Sequence, residues 1–125
     1  LNNTSHVRQF GAEIGDFAET AALCSVLDAV ISVDTSAAHL AASIGIQTHL
    51  LIRDCADWRW LQNRPDTPWY SAMTLHRKPD DINWGGIVEA TVTEIIQKNK
   101  CSLAKSLCLK RERILLTGNG RETNR

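Results

Sequence analysis

Three observations predict an α/β fold, a parallel sheet with helices flanking it. Ala29-Val30-Ile31-Ser32-Val33 is a short run rich in β-branched residues, the texture of a strand covered on both faces. An alanine-rich stretch, residues 37–44, follows the turn residues Asp34-Thr35-Ser36 and closes at Gly45, the residue that most readily takes a left-handed helix end. A second strand pattern, residues 48–52, comes directly after it. Strand, tight turn, helix, glycine and strand in that order form a βαβ unit, which joins parallel strands by a right-handed crossover and belongs to layered α/β architectures.

The other elements follow along the chain. Residues 16–27 predict a helix: Asp16 can accept from the first amides, Glu19 stands three positions later as in a capping box, and Phe17, Ala21, Cys24 and Leu27 recur at spacings of three and four. From Arg53 to Tyr70 the pattern is irregular and aromatic, with Trp58, Trp60, Trp69 and Tyr70 interrupted by Pro65 and Pro68. Loops of that length in a compact domain are usually functional. Residues 72–77 predict a short strand. Residues 82–97 predict a helix with Ile87, Val88, Val92, Ile95 and Ile96 as its buried stripe, although Gly85 and Gly86 weaken its first turn. Leu103, Leu107 and Leu109 can prolong that helix, and Thr117-Gly118-Asn119-Gly120 reads as a frayed ending.

The chain has 125 residues, 43% of them hydrophobic and 22% charged, which suits one globular domain. Its formal charge of zero conceals a division. Residues 1–97 carry six Lys/Arg against twelve Asp/Glu, and residues 98–125 carry eight against two. The expected organisation is therefore an α/β domain over residues 1–97 and a basic, flexible tail over 98–125. The cluster Lys110-Arg111-Glu112-Arg113 raises nucleic-acid binding, but charges scattered without interleaved aromatics read as a solvated terminus, so no nucleic-acid partner is expected. Apolar runs are far shorter than the roughly 20 residues of a membrane span. The opening residues Leu1-Asn2-Asn3-Thr4-Ser5 lack the basic lead and greasy core of a secretion leader.

Cys24, Cys55, Cys101 and Cys108 include no C-x-x-C pair, and His6, His49 and His76 show no ligand spacing, so no structural metal is expected. Free thiols suggest a reducing, cytoplasmic setting, with a Cys101–Cys108 disulfide left open. Neither a glycine-rich dinucleotide fingerprint nor a Walker loop occurs, which argues against dehydrogenases and P-loop ATPases. No cofactor is expected.

The sharpest chemical feature is Val33-Asp34-Thr35-Ser36-Ala37-Ala38-His39. It sets a carboxylate at the C-terminal end of a parallel strand, where open α/β sheets bind ligands. Thr35, Ser36 and the amides after them open a helix N-terminus, whose unpaired N–H groups and partial positive charge favour a phosphate. Ala37 and Ala38 leave room for a ligand to approach the backbone. The dipole contributes roughly 0.3–1 kcal/mol when exposed and about 2 when partly buried, enough to orient an anion but not to supply all the affinity. Asp34 cannot face that anion and is better suited to sugar hydroxyls or to fixing the loop. His39, one turn inside the positive end of the helix, is disfavoured as imidazolium there and can donate from a neutral ring. A plainer reading stands beside this one: Asp34 and Thr35 cap the helix and His39 packs.

Two further positions have paired readings. Trp58 and its neighbours can stack on a base or sugar with Arg59 on a phosphate, or the indoles can simply cover the end of a helix layer. Glu19 either completes its cap or approaches a ribose.

The stretch from Asp16-Phe17-Ala18-Glu19-Thr20-Ala21-Ala22-Leu23 through Leu27-Asp28-Ala29-Val30-Ile31-Ser32-Val33-Asp34-Thr35-Ser36-Ala37-Ala38-His39-Leu40-Ala41 resembles bacterial glycosyltransferases of family 9, the relatives of lipopolysaccharide heptosyltransferases. The likeness is greatest to the transferase-like region that follows tetratricopeptide repeats in many bacterial proteins, and Asp57-Trp58-Arg59-Trp60 and Thr67-Pro68-Trp69-Tyr70 extend it over residues 10–97. The resemblance implies the later part of the C-terminal, Rossmann-like, donor-binding half of a GT-B fold. It implies transfer of a sugar from a nucleotide-sugar donor to an acceptor the sequence does not name. Thr35, Ser36 and Ala37 would face the diphosphate, His39 would line the cleft, and Asp34 would orient the donor sugar or act in catalysis. Asp57, Trp58, Arg59 and Glu19 would be further ligand contacts. Ser36 stands where heptosyltransferases usually have glycine. The early strands of the donor half and the acceptor half are not in this sequence, so activity is expected only on completion by such a half. A non-catalytic, nucleotide-sensing or interaction remnant is the alternative, and open sheet edges predict self-association.

Overall fold

The computed structural model describes residues 8–81 and 83–116, with side chains through residue 101. Its elements, in chain order, are helix α1 (Phe17–Ser25), strand β1 (Val30–Ser32), helix α2 (Ser36–Ser43), strand β2 (Thr48–Arg53), a 3-10 turn (Trp58–Trp60), strand β3 (Met73–Lys78) and helix α3 (Trp84–Leu116). The chain divides into two compact units, one ending at Ile87 and one beginning at Val88.

The first unit is the predicted α/β fold, a partial Rossmann-like layer. Its sheet has the order β1-β2-β3 and both pairs are parallel. Val30 pairs with Thr48, and Thr48 with Met73, which starts the three strands at a common level. β2 is the central strand, and Thr48, His49, Leu50, Leu51 and Ile52 are all buried, as a strand covered on both faces requires. Leu50, Ile52, Met73 and Leu75 face Ala38 and Ala42 of α2 and the indole of Trp60, which is 1% exposed. The alanines let helix and sheet come close, and Trp60 fills the space beyond them.

Sequence accounts for the start of α1 and the end of α2. Asp16 caps α1 by accepting from the Glu19 amide at 2.8 Å, and Glu19 reaches back to accept from Gly15 N–H at 2.6 Å. That is a capping box displaced by one residue. α2 ends in a Schellman turn: Ile46 N–H donates to Ala41 O and Gly45 N–H to Ala42 O, with Gly45 at φ +83°.

The two sheet edges differ. The loop runs antiparallel along β3, with Leu75 N–H donating to Pro65 O at 2.6 Å and a bridge between Asp66 and Thr74. β1 has only β2 beside it among the described residues, and Ile31 and Val33 are exposed there.

Two expected apolar stripes are corrected. Of the α1 face only Cys24 is buried, while Phe17 and Leu27 are exposed, because α1 rests on α2 rather than on the sheet. In α3, Ile87 and Ile95 of the expected stripe are half-buried, but Val88, Val92 and Ile96 are exposed, and Thr91 and Glu94 are protected in their place. α3 starts at Trp84 and continues through residue 97 to Leu116. The tail signals at 117–120, His6 and the Cys108 side chain lie outside the described residues. Cys24, Cys55 and Cys101 are free thiols. Among the described residues no helix is long and apolar enough to cross a membrane.

Candidate functional site

The candidate site forms where the chain leaves β1 and enters α2. Ser32 Oγ donates to Val33 O at 2.9 Å and shares a hydrogen bond with Thr35 Oγ1 at 3.0 Å. Thr35 has the extended backbone of an N-cap, φ −138° and ψ 162°, yet its hydroxyl is turned to Ser32 and makes no capping bond. Asp34 does not cap either. The plainer reading of this loop therefore fails in part: no side chain closes α2, and Ser36 stands exposed and Ala37 half-buried at its open end. The contrast is with α1, whose first turn is closed by Asp16.

Asp34 instead organises the aromatic residues. Trp60 Nε1–H donates to its Oδ2 at 2.8 Å, and His39 Nε2 lies 3.2 Å from its Oδ1. The imidazole stacks on Trp60, with centroids 5.4 Å apart, and meets Tyr70 edge-on, with His39 Nδ1 3.0 Å from the phenol oxygen. Arg59 Nη2 is 3.6 Å from Asp34 Oδ2, while its Nε donates to Asp57 Oδ1 at 2.9 Å, so one guanidinium lies between two carboxylates. Asp57 also accepts from the Arg59 amide at 3.0 Å and so caps the 3-10 turn. That amide first, and the guanidinium second, hold the Asp57 carboxyl below the usual carboxylate range.

The loop is fixed from below by a residue the sequence did not single out. Arg77, on β3, donates from Nη2 to the carbonyls of Trp60 and Leu61, each at 2.7 Å. Leu61 and Asn63 have positive φ, 54° and 56°. Leucine is rarely found there, and persists only where its surroundings impose it. Trp69 Nε1–H donates to Arg59 O at 2.9 Å and closes the loop on itself.

What results is a hollow of about 580 Å³ lined by His39, Trp58, Arg59, Trp60, Trp69 and Tyr70. Trp60 is its buried floor, whereas Trp58 is 76% and Trp69 58% exposed. The Trp69 indole is held by its bond to the Arg59 carbonyl, and both exposed indoles offer flat apolar faces for stacking.

The structure thus brings together Asp34, His39, Trp58 and Arg59, with Asp57 joined through Arg59. Thr35, Ser36 and Ala37 lie next to the hollow along the chain without lining it. Glu19 is elsewhere, bound to Gly15 N–H beside a second hollow of about 500 Å³ lined by Ile14, Gly15, Asp16, Phe17 and Thr20. Tyr70 and Trp60 matter more than the sequence suggests; strand register and loop path, rather than spacing, set them against His39 and Asp34. The same holds for His49 and His76, whose rings stack with Nδ1 and Nε2 2.8 Å apart across β2 and β3. Among the described residues no group of three or more His, Cys, Asp or Glu side chains is placed to hold a metal ion.

In comparisons with known proteins the chain matches no family model, no curated protein and no solved structure.

Proposed function

We propose that residues 10–97 are the nucleotide-sugar donor-binding portion of a glycosyltransferase, with the hollow beside α2 as the donor site. The observation that carries this reading is the adjacency of two unlike surfaces: an aromatic hollow bordered by His39 and Arg59, and a helix N-terminus that no side chain closes. A nucleotide-sugar has the matching parts, a base and sugar to stack and a diphosphate for the open amides. In a transfer reaction those amides would stabilise charge growing on the departing nucleoside diphosphate.

One feature favours a binding over a catalytic role for Asp34. Both its oxygens already accept, one from Trp60 and the other from His39, so it positions the walls of the site. The non-catalytic, nucleotide-sensing alternative keeps the same ligand and the same hollow and dispenses only with transfer.

A thermal-shift panel of nucleoside diphosphates and their sugar conjugates tests the reading. A ligand present at ten times its Kd stabilises by about 1.4 kcal/mol, a rise of roughly 6–11 °C in Tm for a unit of this size. Stabilisation by at least one conjugate, lost in His39→Ala, is expected. No shift with any nucleotide would overturn the proposal.

A further inference from the structure

The hydrogen-bond chain Trp60–Asp34–His39–Tyr70 has a direction, and the direction specifies what the hollow accepts. An indole N–H can only donate, and a carboxylate can only accept. Asp34 therefore receives from Trp60 through Oδ2, and its Oδ1, 3.2 Å from His39 Nε2, requires the proton to sit on that nitrogen. A lone pair on Nε2 would face a carboxylate oxygen and be repelled. With Nε2 protonated, the Nδ1 of a neutral ring is an acceptor, and its partner among the described residues, 3.0 Å away, is the Tyr70 hydroxyl. The phenol thus commits its one hydrogen to His39 and keeps only lone pairs for a ligand. Both members of this contact line the hollow.

We infer that Tyr70 is a specificity-determining residue: its oxygen is held as an acceptor toward the hollow, so this end selects a hydroxyl-bearing sugar ring and disfavours phosphate or carboxylate oxygens. This rests on the donor-site reading for the nucleotide but assigns the sugar and the diphosphate to separate places. The ring lies against the exposed faces of Trp58 and Trp69 with a hydroxyl donating to Tyr70, and the diphosphate lies at the open end of α2. The nearest charged groups agree with this division. Asp34 and Asp57 flank Arg59, leaving that guanidinium already paired and the aromatic end without surplus positive charge.

Tyr70→Phe removes the acceptor and leaves the ring. Calorimetry on the full chain would measure each nucleoside diphosphate against its hexose conjugate, and methyl hexosides alone would be followed by tryptophan fluorescence. The sugar is expected to tighten binding by about tenfold in the native protein and by no more than about threefold in Tyr70→Phe, the loss of one neutral hydrogen bond, with the plain diphosphate bound equally by both. Asp34→Asn supplies a second arm. Its amide can still accept from Trp60 through the carbonyl but must donate to His39, which reverses the tautomer and turns the Tyr70 hydroxyl toward the hollow as a donor. That variant is expected to remain folded and to keep a sugar increment, since a sugar hydroxyl accepts as well as donates, but to lose the native discrimination against a hexuronate conjugate; a hexuronate bound as weakly as by the native protein would overturn the inference.

A sugar increment unchanged in Tyr70→Phe overturns the inference while leaving the donor site standing. Methyl hexosides that bind in a Tyr70-dependent way, with no nucleotide binding, would support the inference and overturn the donor reading. Absence of binding by both classes overturns both.

Discussion

Replacing Asp34 with alanine should destabilise the first unit by about 2–3 kcal/mol. The magnitude comes from the donors that the carboxylate serves. The Trp60 indole N–H, 2.8 Å from Oδ2, belongs to a side chain 1% exposed; with its acceptor gone it is left buried and unsatisfied, at a cost of about 1–3 kcal/mol. His39 is part-exposed and can turn to water, and Arg59, 3.6 Å away and 45% exposed, contributes about 0–1 kcal/mol. The Trp60 bond therefore dominates. Asp34→Asn, which keeps a carbonyl for the indole, should lose under about 1 kcal/mol. Urea unfolding followed by circular dichroism would measure both, and a double-mutant cycle with Trp60→Phe would isolate the pair. A coupling of about 1–2 kcal/mol is expected. Asp34→Ala within about 0.5 kcal/mol of the native protein, or strict additivity with Trp60→Phe, would refute the assignment of Asp34 as the residue that holds the loop.

Other outcomes follow from neighbouring contacts. Arg77→Met withdraws the donor from the Trp60 and Leu61 carbonyls, so residues 58–63 should become the first site of limited proteolysis and exchange amide hydrogens faster, while the β2 amides stay protected. Gly45→Ala should cost about 1–2 kcal/mol from left-handed backbone strain alone, since a methyl there meets nothing within 4 Å, and Gly45→Asn should cost less. The Asp57 carboxyl should titrate in acid below the ordinary value of about 3.9, because the Arg59 amide and guanidinium favour its charged form. With the folded value depressed, that contribution to stability is complete above the ordinary value and lost as the pH falls through the folded one. Carbon-detected NMR should show Arg59→Gln raising the titration only part of the way, since the amide remains.

Much of the architecture was legible because local chemistry and the fold agree. The capping pair Asp16 and Glu19, the β-branched run at Val30 and Ile31, and the alanine helix closed by Gly45 each state their structure within a few residues. Long-range placement was not legible. Whether an apolar stripe is covered depends on a surface remote in sequence, which is why Phe17 and Val92 are exposed although their spacing predicted burial. Of the site, Asp34 and His39 could be read from their position after a strand. Their partners could not: Trp60 reaches Asp34 through an irregular loop 26 residues on, and Tyr70 reaches His39 from 31 residues away. The path of that loop depends on Arg77 and on positive-φ backbone at Leu61, neither of which leaves a local pattern.

In the proposed donor site the hollow and the open end of α2 act as one ligand site. An amide and indole NMR titration of the full chain with nucleoside diphosphate sugars tests it most directly. The Ser36 and Ala37 amides and the Trp58 and Trp69 indole N–H signals should move together along one binding curve, while signals from residues 14–20 stay still. Movement confined to residues 14–20, or none at any of these groups under saturating nucleotide-sugar, would contradict it.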